Sequence, residues 1–133
     1  MHTSSSLSLL NNKIVLFTLI AFITMTSISF KNPAYKRLVY LFGEEQHSIL
    51  INQQIKLLDS ANVGVKERDM EIVVVKADNK LYQQYRVPTN QFCLILIGKD
   101  AGEKFRSYSI VTPEQLFVLI DGMPIRKSEM KRH

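Results

Sequence analysis

The 133-residue sequence predicts an α/β fold, with a central mixed four-stranded sheet flanked by helices. Three observations carry this expectation. Compact apolar runs rich in β-formers occur at 37–42 (RLVYLF), 70–75 (MEIVVV) and 92–97 (FCLILI), the kind of segment a sheet buries on both faces. Between the first two, apolar residues recur at helical spacing. After the third, a turn-rich pentad leads into a more polar strand and then a strongly signalled helix start.

The chain opens with a segment of a different kind. Residues 14–30 carry no charge, and Lys13 is the single charge of the Ser- and Asn-rich stretch before them. This is the build of a secretory signal. Seventeen residues diluted by Thr18, Thr24, Thr26, Ser27 and Ser29 fall short of the roughly 20 that a bilayer span needs. The expectation is therefore a signal peptide or signal anchor over 1–30, with cleavage near Phe30 preferred to membrane anchoring through 14–30. A short linker follows at 31–36, and one domain fills 37–133.

Within that domain, 37–42 is the first strand. Leu50, Ile51, Ile55, Leu57, Leu58 and Ala61 then line one side of a helix, opposite Asn52, Gln53, Lys56 and Asp59, and Gly64 is expected to end it. The run 70–75 is the second buried strand, parallel to the first because a helical crossover joins them. A short helix through Leu81, Tyr82 and Tyr85 comes next. It breaks at Val87-Pro88-Thr89, where Pro88 pushes Val87 away from helical geometry. The third strand, 92–97, is apolar almost throughout and suits the sheet centre. Residues 98–102 (GKDAG) supply turn chemistry for a hairpin into Glu103–Ile110, where the sheet turns antiparallel. Thr112, Pro113 and Gln115 combine a hydroxyl cap, a proline at the first helical position and the closing residue of a capping box. Leu116, Phe117, Ile120 and Met123 face the core, and Pro124 stops or kinks this helix.

Composition narrows the function classes. Apolar residues at 46% and charged ones at 22% match an ordered globular domain. A net charge of +5 suits anionic partners, yet the basic residues are scattered without an Arg-rich stripe or aromatic interleaving, so nucleic acid is not expected. Cys93 is the sole cysteine and His2, His47 and His133 lie far apart, which leaves no disulfide, no CxxC pair and no expected metal site or cofactor.

The element order βαβ, short helix, ββα resembles that of the thioredoxin superfamily, and Val87-Pro88-Thr89 resembles its proline-bearing loop. Two further stretches carry a closer likeness: Leu96-Ile-Gly-Lys-Asp100 with Lys104 and Arg106, and Leu119-Ile-Asp-Gly-Met-Pro-Ile-Arg126 with Glu129. Together they resemble a peroxiredoxin-like, thioredoxin-like family of domains of unknown function. That domain type is also found in coiled-coil domain-containing protein 80 and in sushi-repeat-containing matrix proteins. The likeness runs from about Arg37 to Met130, and its Ile-Asp-x-Met-Pro-x-Arg element is the more specific part. Ala101 stands where the family usually has a second glycine, and Ile125 where it usually has a second methionine. The resemblance implies a thioredoxin-like fold and export from the cytoplasm, and it hands over no catalytic residue.

In redox-active members of that superfamily the attacking thiol lies between the first strand and first helix, where a helix N-terminus lowers its pKa. Here that segment is 43–48 (GEEQHS), with no sulfur. Glu44 or Glu45 with His47 and Ser48 could hold a base and a hydroxyl, though such residues commonly cap helix starts. Cys93 sits mid-strand, where a free cysteine acts as a small hydrophobe. Residues 98–100 are a hairpin turn, because a phosphate loop needs an earlier glycine and a following Ser or Thr. Lys99, Lys104, Arg106 and Arg126, paired with Asp100, Asp121 and Glu129, are expected to form either a salt-bridge set holding the hairpin to the last helix or a partner- or anion-binding patch. The first reading is thus an exported, periplasmic or extracellular, non-catalytic interaction module. Its partner is an unknown protein or an extracellular anionic molecule, with membrane contact only if residues 14–30 are retained. The competing class is an enzyme: a peroxiredoxin-like one using Cys93 as its only thiol, or a hydrolase-like site at His47 and Ser48.

Overall fold

In the computed structural model, which describes residues 35–133, the first strand β1 (Arg37–Phe42) occupies the run expected for it. The leader at 1–30 and linker residues 31–34 lie outside the described residues. A 3-10 turn (Glu45–His47) leads into helix α1 (Ser48–Ser60), followed by α2 (Asn62–Glu67) and strand β2 (Met70–Val75). Then come α3 (Leu81–Gln84), β3 (Cys93–Ile97), β4 (Glu103–Ser107), α4 (Pro113–Asp121) and α5 (Pro124–Met130).

The sheet is mixed, with strand order β2-β1-β3-β4. β1 and β2 are parallel, as the helical crossover requires, with Arg37 opposite Met70 and Phe42 opposite Val75. β3 runs antiparallel to both β1 and β4, so the sheet reverses already at β3, one strand before the hairpin expected to do it. β2 was expected to be buried on both faces. It is an edge strand instead, and Val74 is about half exposed.

Strand alternation divides the interior into two layers. Val39, Leu41, Leu94 and Leu96 face one way and pack with Ile51 and Leu58 of α1, Val65 of α2, and Leu116 and Ile120 of α4. Phe42, Cys93, Ile95 and Ile97 face the other way, where Val75, Tyr82 and Val87 cover them. Phe42 meets Tyr82 edge to face at 4.9 Å, a favourable aromatic geometry.

Gly64 does not end the first helix. The chain breaks at Ala61, and Gly64 lies inside α2, where a Cβ would sit 2.5 Å from the Phe117 ring. Its missing side chain allows α2 to approach α4. The apolar stripe of α1 also contains a polar member, Gln54. Its Nε2 donates to the Val111 carbonyl at 2.8 Å and its Oε1 accepts from the Val111 N–H at 2.9 Å. One buried amide thus satisfies both backbone groups just before α4, as buried polar atoms require.

The capping box forms as expected: Gln115 N–H donates to Thr112 Oγ1 at 3.3 Å, and Thr112 N–H donates to Gln115 Oε1 at 2.9 Å. α4 stops at Asp121, and Pro124 becomes the first residue of α5. β4 ends at Ser107, short of Ile110, because the Ser107 hydroxyl accepts the Ser109 N–H at 3.1 Å and turns the chain.

Candidate functional site

The residues expected to form one patch are divided by a bulge. Strict alternation would put Lys104 and Arg106 on the same face of β4. The β3–β4 register shifts between Leu96 and Ile97, pairing Leu96 with Phe105 and Ile97 with Glu103, so Lys104 is the extra residue. Its aliphatic stem lies over Gly98, on the side of α4. Arg106 stays opposite Ile95, in the other layer, where it donates to the Tyr85 carbonyl at 2.8 Å and to both Glu103 carboxylate oxygens at 2.9 Å. The Arg106 ion pair holds Glu103 below the usual carboxylate range. Arg106 therefore does not belong with Lys99, Lys104 and Arg126.

Those three sit near a denser ionic cluster that the expected patch only partly names. At its centre is Arg37, a charged residue buried at the start of β1. Its guanidinium donates to the Arg68 carbonyl at 2.8 Å and twice to Glu129 at 3.3 Å. Lys99 reaches Glu129 and Asp69, each at 2.6 Å. Arg68 forks onto Asp121 at 3.0 and 2.6 Å and stacks over the Phe117 ring at 4.2 Å. Arg126 contacts Asp121 at 3.3 Å, Glu129 at 3.7 Å and the Glu67 carbonyl at 2.9 Å. Lys104 pairs with Asp100 at 2.6 Å, on the hairpin itself.

The titration shifts follow from these contacts. Burial pushes the Glu129 carboxyl up, but hydrogen bonds from Lys99 and Arg37 outweigh it and hold the group low. The Lys99 bond lowers Asp69, and Arg68 with Arg126 lowers Asp121. Burial disfavours charge on Lys99, yet Asp69 and Glu129 raise it. The cluster ties β1, the β2 entry, the β3–β4 hairpin and α5 together. Arg37, Arg68 and Asp69 were missed in the sequence. The available signal was an arginine opening an otherwise apolar strand.

Beside this cluster lies a groove of about 690 Å³, lined by the hairpin, the end of α4 and the start of α5. Val118, Leu119, Met123 and Ile125 form its apolar wall, and Arg37, Lys99, Asp100 and Lys104 its polar one. A second depression of about 460 Å³ adjoins it through the shared Val118 and Leu119 and runs to Phe105, Gln115 and Glu114.

The junction of β1 with α1 is at the opposite end of the sheet. There the Gly43 N–H donates to the Tyr82 hydroxyl at 2.9 Å, and no side chain caps α1. The His47 N–H donates to the Glu44 carbonyl at 2.8 Å, but among the described residues no side-chain hydrogen bond links Glu44, Glu45, His47 and Ser48, and His47 Nδ1 is buried without a partner. Cys93 is fully buried in the second layer. Burial pushes its thiol up to about 11, against the lowering influence of Arg106. Among the described residues no cluster of His, Cys, Asp and Glu suits a metal ion, and no helix is long and apolar enough to cross a membrane.

Comparison with known proteins adds the following. Residues 76–129 match the family described as a domain of unknown function (DUF4174). Sushi repeat-containing protein SRPX of Rattus norvegicus is 47% identical over 45 residues, and its counterparts in Mus musculus and Homo sapiens are each 44% identical over 45 residues. Each match covers 34% of this chain and 10% of the relative, so the chain spans about a tenth of the length of the curated relatives it matches. No solved structure matches. The stretch similar to the family holds Lys99, Asp100, Lys104, Arg106, Asp121, Arg126 and Glu129, and leaves out both Arg37 and the β1–α1 junction.

Proposed function

We propose that this chain is an exported, non-catalytic binding module of thioredoxin-like layout, acting in the periplasm or outside the cell. Its single domain spans 37–133. The observation that carries the non-catalytic part is the state of the only thiol: Cys93 is buried mid-strand with its pKa raised to about 11. A peroxide- or disulfide-attacking sulfur must be a thiolate within reach of solvent. The junction that holds the attacking thiol in thioredoxin-like enzymes carries Glu44 and Glu45 here, which oppose a thiolate. The layout rests on the element order and mixed sheet. Export rests on the uncharged run at 14–30. Recognition is assigned to the groove beside the hairpin and α4, because it combines exposed apolar side chains with a polar wall.

Peroxide consumption by the wild-type chain and by Cys93→Ala tests the catalytic half. Both are expected at buffer background, and turnover that depends on Cys93 would sink the reading. Export is tested by N-terminal sequencing of protein made in its host. A mature chain beginning near Phe30 is expected, and an intact Met1 on membrane-bound material overturns cleavage.

A further inference from the structure

We propose that the groove along α4 binds an amphipathic monoanion, a molecule with an aliphatic body and one carboxylate head, as the ligand of the binding module argued above. The two adjoining depressions form one apolar track, with Val118 and Leu119 common to both. Val118 is 74% exposed and Leu119 39%, a cost in water that an aliphatic chain laid across them removes.

Charge gives the track a direction. One end is lined by Arg37, Lys99 and Lys104 against a single carboxylate, Asp100; the other carries Glu114. Lys99 and Arg37 are engaged by Glu129, which leaves Lys104 as the cation able to exchange partners. Its bond to Asp100 joins two partly exposed side chains, and such pairs are held weakly enough for a ligand carboxylate to replace one member. The bulge that aims Lys104 across Gly98 toward α4 thereby acquires a purpose. A further observation points the same way. Arg37 lines this end while 1% exposed, and its Nε is a buried donor with no acceptor. Buried donors are rarely left so, and a carboxylate arriving at this end brings acceptors to it.

The head therefore sits at Lys104, and the body crosses Leu119 and Val118 toward Gln115. Titration of the full chain with decanoate, decanol and decyltrimethylammonium, followed by calorimetry and by NMR shifts, tests this. Decanoate is expected to saturate, shifting Lys104, Leu119 and Val118 and the Arg37 Nε–H resonance, and to bind about fivefold more tightly than decanol. Lys104→Met keeps the stem over Gly98 and is expected to erase that preference. Leu119→Asp alters an exposed position and is expected to abolish binding. Equal affinity for all three probes, shifts mapping away from α4, or a flat titration would each overturn the site. A flat titration leaves the non-catalytic reading intact, whereas Cys93-dependent peroxide turnover removes that reading and leaves these titrations standing.

Discussion

Where β1 finishes, the chain leaves through Gly43 into a short turn bearing Glu44 and Glu45, with one hydrogen bond to Tyr82 and no cap on α1. Where β1 begins, roughly 17 Å away along the strand, Arg37 is sealed beneath a lattice of carboxylates and cations with a groove beside it. The first end is sparse in side-chain contacts. The second is rich in fixed charge and exposed apolar side chains. Fixed charge is thus concentrated at one end of β1, and each end should respond differently to perturbation.

The largest difference is expected at Glu129. Glu129→Gln leaves the buried Arg37 without its counter-charge, and losing one partner of a buried pair costs about 3 kcal/mol, read as a fall in the urea midpoint. A loss below about 1 kcal/mol would mean that the Arg68 carbonyl alone suffices for Arg37. Next is Gly64→Ala, which forces a methyl group into the Phe117 ring and is expected to cost about 2 kcal/mol.

Acid should act on the charged end before the other. Asp69, Asp121 and Glu129 titrate below their ordinary values in the folded chain. Their contribution is fully present above the unfolded carboxylate range and is lost as pH falls through the folded values. Stability should thus decline from about pH 5 downward as Glu129, Asp69 and Asp121 take up protons. Thermal melts across that range check the sign, and Glu129→Gln should flatten the slope.

A small gain is expected at the hairpin. Ala101 has φ of 64°, in the left-handed region that favours glycine. Ala101→Gly should add roughly 0.5 kcal/mol. The smallest effect belongs to the junction: Glu44→Gln with Glu45→Gln should change stability by less than about 0.5 kcal/mol. A larger change would show that this end is as constrained as the other.

Much of the fold was legible because local signals agreed with one another. The three apolar runs are strands, the spacing from Leu50 to Ala61 is a helix, and Thr112, Pro113 and Gln115 cap α4 with both expected bonds. The candidate site was legible only in part. Lys99, Asp100, Lys104, Asp121, Arg126 and Glu129 were all in view, yet Arg106 was grouped with them on charge and position along the chain. A bulge, which depends on how two strands register, separates them.

Sequence alone thus determined the element types, the missing thiol at the first junction and the turn at 98–102, since each depends on neighbouring residues. Tertiary structure decided the edge position of β2, the close packing at Gly64, the satisfied amide of Gln54 and the burial of Arg37 against Glu129. Those contacts join residues as far as 92 positions apart. No local pattern encodes which distant carboxylate will meet an arginine, because only the packing of β1 beneath α5 brings the two together.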